Sequence, residues 1–101
     1  MSQTEVQTKT TTVLELEEPS FFRVIYINDD KTSMEFVIES LVNFFAYTEE
    51  RAEKITIDIH TAGSAVVAVL PYEIAEQKGI EITLYARQSG YPLQIKLEPD
   101  Q

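Results

Sequence analysis

The 101 residues carry 17 acidic and 8 basic side chains, a formal charge of −9 on a chain that is 44% hydrophobic. Such a length builds one domain around one core and leaves little interior for a deep catalytic cleft. The charge opposes nucleic acid and anionic membrane, which bind clustered Lys and Arg, and favours cationic ligands; the absence of cysteine removes disulfides, thiolate metal sites and a thiol nucleophile.

Residues 1–18 are rich in threonine and poor in large apolar groups, closing with Glu15-Leu16-Glu17-Glu18 before Pro19. Such a segment buries too little to offset its ordering entropy, so it is expected to be a flexible N-terminal arm ahead of a core domain over 19–101. The opening MSQTEVQTKT lacks the basic start and apolar stretch of a signal peptide. No apolar run approaches the roughly 20 residues that span a bilayer, and a cytoplasmic location is expected.

The run Phe21-Phe22-Arg23-Val24-Ile25-Tyr26-Ile27 is aromatic and β-branched, which predicts a strand apolar on both faces and therefore central. Asn28-Asp29-Asp30-Lys31 turns the chain. Thr32-Ser33-Met34-Glu35 reads as a capping box, with Thr32 as cap and Glu35 reaching back. Met34, Val37, Ile38, Leu41 and Phe45 then recur at helical spacing through about Ala46. A second helix starts at Thr48, with Glu49 and Glu50 at its positive end. Ala52, Ile55, Ile59 and Thr56 line its inner face, and Gly63 suits the left-handed position after it. Ser64 to Leu70 is a short apolar strand. Pro71 fits the first turn of a third helix running through Ile74, Ala75, Ile82, Tyr85 and Ala86 to near Gly90. The last strand alternates, Leu93, Ile95 and Leu97 inward against Gln94, Lys96 and Glu98. The sum is an α+β fold: a two-layer β-α-α-β-α-β domain, a three-stranded antiparallel sheet with three helices on one face.

Catalysis finds little support. There is one histidine, no cysteine, no G-x-S-x-G elbow and no phosphate or dinucleotide loop. Asp29 and Asp30 are neighbours on a turn, not opposed across a cleft as paired-carboxylate mechanisms require. Adjacent aspartates after a strand suit Mg²⁺, which takes oxygen ligands in octahedral geometry, but a magnesium-binding receiver domain needs more strands and a longer chain. No cofactor or resident metal is expected.

An organic cation matches the same groups better. A protein's α-amino group titrates around 7.7–8.0 and is largely protonated at neutral pH. Asn28 and the two carboxylates supply converging acceptors, and His60 accepts or donates according to its tautomer. Selectivity over lysine side chains requires an apolar pocket beside the ammonium, for which Met34, Val37, Ile59 and Leu93 are candidates. Two or three charge-assisted hydrogen bonds at roughly 1.5–3 kcal/mol each, with one buried apolar side chain, reach about −8 kcal/mol, a micromolar affinity, after ordering costs. Residue by residue, however, Asn28-Asp29-Asp30 equally describes a plain turn, His60 a solvated partner of a helix dipole, and the apolar set plain core. Chemistry alone leaves the function open.

The stretch Phe22-Arg23-Val24-Ile25-Tyr26-Ile27-Asn28-Asp29-Asp30-Lys31-Thr32-Ser33-Met34-Glu35-Phe36-Val37 closely resembles the opening of the ClpS adaptor family, an apolar strand followed by N-D-D-x-T-x-M-E-F-V. The likeness continues through Phe44-Phe45, Glu50-Arg51-Ala52, His60, Gly63, Glu73-Ile74-Ala75-Glu76, Lys78, Tyr85-Ala86-Arg87 and Pro92-Leu93, covering nearly everything after Pro19. The resemblance implies a non-enzymatic, monomeric adaptor of the N-end rule. It would deliver proteins with a bulky hydrophobic or aromatic N-degron to an AAA+ unfoldase of the ClpA or ClpC type, partnered with the ClpP protease. It further implies that Asn28, Asp29, Asp30 and His60 hold the substrate's α-amino group and first peptide unit. Thr32, Met34, Val37, Thr56, Ile59 and Leu93 would surround its side chain, with Met34 as the gatekeeper against β-branched residues. Glu73 and Lys78 would meet the N-terminal domain of the unfoldase, and the arm would be engaged during hand-over.

Four departures from the family pattern stand out. Thr56 replaces a frequent methionine, giving a shorter and more polar wall, which bears on the choice among Leu, Phe, Tyr and Trp. Lys31 replaces an aromatic residue and Ser33 a proline, while Val66-Val67-Ala68-Val69 lacks a common cysteine-glycine pair; these are expected to touch packing or surface charge more than ligand chemistry. The alternative is a protein-interaction module like the carboxy-terminal domain of the ribosomal stalk protein. That domain uses a lysine-rich helix, whereas helix three offers Lys78 and Arg87 against Glu73, Glu76 and Glu81.

Overall fold

The computed structural model describes Ser20–Gln101, so the arm predicted over residues 1–18 lies outside the described residues. Six elements follow in the predicted order: β1 (Phe21–Ile27), α1 (Met34–Phe45), α2 (Glu49–Ala62), β2 (Ser64–Pro71), α3 (Tyr72–Gln88) and β3 (Gln94–Pro99). The strands form one antiparallel sheet in the order β2-β1-β3, with the doubly apolar β1 in the centre as its composition demands.

Pairing with β2 slips between Val24, opposite Ala68, and Ile25, opposite Val66. Val67 is the extra residue of this bulge, and its side chain is buried. Val24 and Tyr26 face the helices and are fully buried with Leu41, Ala75, Ile82 and Ala86. Arg23, Ile25, Val66, Val69, Lys96 and Glu98 occupy the other face, where Val66 and Val69 are exposed.

A short polar chain runs through this core toward the cavity described below. Ser40 Oγ donates to the Val37 carbonyl at 2.8 Å, which leaves it free to accept from the Tyr26 hydroxyl, also at 2.8 Å. Burial pushes the Tyr26 hydroxyl far above its usual range, against the smaller opposing effect of the Ser40 bond. Both groups are therefore satisfied where an unpaired hydroxyl would cost about 1–3 kcal/mol, and α1 is pinned near the C-terminal end of β1. On its other side Phe36 meets the rings of Tyr85 and Tyr91, at centroid distances of 5.1 and 4.9 Å, which fixes α1 against α3 and the loop after it.

The helix ends follow their sequence signals with two changes. Thr48 caps α2 by accepting from the Arg51 amide at 3.2 Å, and Gly63 closes that helix at φ 92°, a conformation that favours glycine. At α1 the cap is Ser33, not Thr32: Ser33 Oγ accepts from the Phe36 amide at 3.1 Å. The predicted cap moved by one residue: Thr32 donates both its amide and its hydroxyl to Asp29, which holds its side chain toward the loop, and the next residue, Ser33, caps the helix. Pro71 likewise ends β2 and precedes α3 instead of sitting in its first turn.

Candidate functional site

Asn28 follows the last residue of β1, and its amide donates to the Gly63 carbonyl at 2.9 Å. This one bond joins the exit of the central strand to the end of α2, and so brings the Asn28–Ser33 loop beside His60. The loop then folds around Asp29. Its Oδ1 accepts from the amides of Lys31 (2.8 Å) and Thr32 (2.7 Å), and its Oδ2 from the Thr32 hydroxyl (2.8 Å).

Partial burial pushes the Asp29 carboxyl up, but the Thr32 and Lys31 amides, the Thr32 hydroxyl and the Arg87 charge outweigh it and hold it below its ordinary range. Asp29 is thus a hub, charged at neutral pH, that sets the loop, while Asn28 and Asp30 stay exposed. Three donors already converging on Asp29 also leave a poor octahedral donor set for Mg²⁺, and among the described residues no group of acidic, His or Cys side chains is poised to hold a metal.

Beside the loop lies a cavity of about 410 Å³. The four predicted polar groups, Asn28, Asp29, Asp30 and His60, stand on its wall, as do Thr32, Met34, Val37, Thr56 and Ile59 from the predicted apolar set. Val37, Thr56 and Ile59 are buried, whereas Met34 is 43% exposed at the start of α1. The chemistry is divided between a polar, anionic rim and an apolar interior, which suits a ligand with a cationic head and an apolar body. Leu93 is the exception: it is buried in the core just before β3 and does not line the cavity.

Thr56 behaves otherwise than its composition suggests. Its hydroxyl donates to the Ala52 carbonyl one turn back, at 2.7 Å, so its proton is committed within α2. The wall is shorter than a methionine would make it, and the polarity of Thr56 is partly spent on its own helix.

Glu73 and Lys78 lie on α3 and line no part of the cavity. Glu73 is exposed in the first turn, while Lys78 is half-buried with its ammonium 5.8 Å from the centre of the Phe45 ring. Two further residues line the cavity beyond the predicted set, Lys31 and Ser33. Arg87 acts from behind: it donates to the carbonyls of Tyr91 (3.0 Å) and Leu93 (2.8 Å), bracing the loop into β3. Its role depends on a loop conformation that sequence spacing does not encode.

Comparison with known proteins gives this architecture a family. Residues 17–96 match the family model described as ATP-dependent Clp protease adaptor protein ClpS. The ClpS adapter of Sodalis glossinidius is 45% identical over 80 residues, which are 79% of this chain and 76% of that protein. The ClpS adapter of Bdellovibrio bacteriovorus is 42% identical over 88 residues, covering 87% of this chain and 77% of its own length. Among solved structures, that of Agrobacterium tumefaciens ClpS2 bound to L-phenylalaninamide superposes with a TM-score of 0.79 at 36% identity, covering 82% of this chain and all of the other. The chain belongs to the ClpS family, the substrate adaptors, not enzymes, of the ATP-dependent Clp protease.

Proposed function

We propose that this adaptor captures the free amino terminus of proteins whose first residue is bulky and apolar or aromatic, and delivers them to a Clp unfoldase of the ClpA or ClpC type. The observation that carries this reading is the meeting of Asn28, Asp30 and His60 with the apolar walls Val37, Thr56 and Ile59 around one cavity. In this arrangement Asn28 and Asp30 accept hydrogen bonds from the substrate's ammonium and His60 bonds the ammonium or the first peptide unit. Asp29 adds charge and sets the loop through Thr32. The first side chain enters between Val37, Thr56 and Ile59, with Met34 over the mouth and Leu93 supporting the wall from the core.

The likeness to A. tumefaciens ClpS2 supports the same assignment. L-phenylalaninamide, the ligand of that protein, carries a free α-amino group, an aromatic side chain and an amide in place of the next peptide bond. Glu73 and Lys78, away from the cavity, are the proposed contacts to the unfoldase, so that both partners bind at once. Residues 1–18 are the proposed handle for hand-over. The adaptor is proposed to work as a monomer in the cytoplasm.

Calorimetric titration with two peptides of one sequence beginning with Phe tests the reading. The free amino terminus should bind with micromolar affinity. Acetylation removes the charge and at least one strong hydrogen bond, and should weaken binding about a hundredfold. Equal affinities would sink the proposal.

A further inference from the structure

Lys31 is a positive charge on the rim of a cavity that receives a positive charge. It is exposed, and of the residues lining the cavity it is the one with a permanent cation. Its backbone does not wander, because its amide donates to Asp29 Oδ1 at 2.8 Å. The ion pairs among the described residues are Arg23 with Glu98 and Asp100, and Lys96 with Glu98. The Lys31 ammonium is therefore unpaired among the described residues, although Asp29 and Asp30 precede it directly.

Resting on the amino-terminus reading, we propose that Lys31 reads the second residue of the bound polypeptide and favours an acidic side chain there. In an extended chain successive side chains point to opposite sides. With the first turned into the cavity, the second turns outward across the rim, about 3.5 Å further along the chain. A lysine stem is long and freely rotating, so its ammonium follows a carboxylate at that distance without a fixed geometry. Asp29 and Asp30 place negative charge where the first residue's ammonium binds, and Lys31 adds a positive charge beside them on the rim. The resulting preference belongs to the substrate's sequence beyond its first residue, which the apolar cavity cannot sense.

The test uses three peptides with free amino termini, identical except for Glu, Gln or Lys after an initial Phe. Each is titrated into the full chain and into its Lys31→Gln and Lys31→Glu variants. An exposed charge pair shifts affinity by about two- to fivefold. The affinity ratio of the Glu to the Lys peptide should therefore fall by about that factor in Lys31→Gln and fall again in Lys31→Glu. The differences should shrink as salt is raised to about 0.5 M. A ratio that stays the same in all three proteins, while the peptides still bind, overturns the role of Lys31 alone. Failure of every peptide to bind the unaltered chain overturns the amino-terminus reading, and this inference with it.

Discussion

The loop from Asn28 to Ser33 and the wall made by Val37, Thr56 and Ile59 face the same cavity, yet they are held in place by different forces. The loop is organised by its own polar groups: three hydrogen bonds end on Asp29, and the adjoining Ser33 caps α1. The wall is organised by what lies behind it, with Val37 anchored through Ser40 to Tyr26 and Thr56 turned back on Ala52. Under the proposed function the loop recognises one invariant group, an ammonium, and such a site gains from a geometry set before the ligand arrives. A wall that accepts several side chains, as proposed, needs only shape, and Met34, nearly half-exposed, is its least enclosed part and a flexible side chain. The two regions should therefore fail in different ways.

The largest effect is expected from the loop. Asp29→Ala with Asp30→Ala removes the hub and the proposed direct acceptor, charge-assisted bonds of roughly 1.5–3 kcal/mol each. Affinity for every cognate peptide should fall at least about a hundredfold, whatever its first side chain. The core contains neither residue, so the cooperative thermal transition should survive. The single substitutions sharpen the point. Asp30→Asn should weaken binding while leaving the Lys31 and Thr32 amide resonances in place, whereas Asp29→Ala, which removes the acceptor of both amides, should displace both. If Asp29→Ala left those resonances unmoved, Asp29 would be an ordinary ligand and not the organiser of the loop.

How far these regions were legible in the sequence differs for the same physical reason. The elements, the central position of β1, Thr48 and Gly63 as helix boundaries, and nine of the cavity's residues follow from local patterning and from a continuous motif. What escaped depended on competition for a single partner. Thr32 and Ser33 are both acceptable caps, and only the demand of Asp29 for Thr32 decides between them. Thr56 reads as a polar wall until its hydroxyl is seen bonded within its own helix. Leu93 alternates correctly with the last strand, yet lies behind the cavity and not in it. Arg87 spends its donors on two carbonyls whose positions no spacing rule supplies.

A smaller effect is expected from pH, and it separates the ligand's charge from the loop's. The free α-amino group titrates around 7.7–8.0 and is stabilised as a cation when bound, so affinity should be flat below that range. Above it, affinity should fall up to about tenfold per unit. At the acid end the sign is reversed. The folded carboxyl of Asp29 lies below its unfolded value of 3.8, so its contribution is fully present above 3.8 and is lost as pH falls through the lower folded value. Peptide titrations from pH 5 to about 9, with the Lys31 and Thr32 amides followed by NMR at lower pH, should show loss of affinity at the alkaline end while the loop stays ordered. Loop disorder within the ordinary carboxylate range would show that Arg87 and the loop donors do not protect the charge.

The smallest effect tests the wall at Thr56, where two substitutions remove different halves of one side chain. Thr56→Val keeps the shape and deletes the hydroxyl. If that hydroxyl serves only the Ala52 carbonyl, the ranking of Leu, Phe, Tyr and Trp peptides should stay within about twofold, and stability should change by about 1 kcal/mol or less. Thr56→Ser keeps the hydroxyl and deletes the methyl, worth about 0.8 kcal/mol of apolar contact, so affinity for Phe and Leu peptides should fall about three- to fourfold. A Val substitution that selectively weakens Tyr against Phe would mean that the hydroxyl leaves Ala52 to bond the ligand's phenol. The wall would then be adjustable in chemistry as well as shape, and the contrast between a preset polar loop and a passive apolar wall would no longer hold.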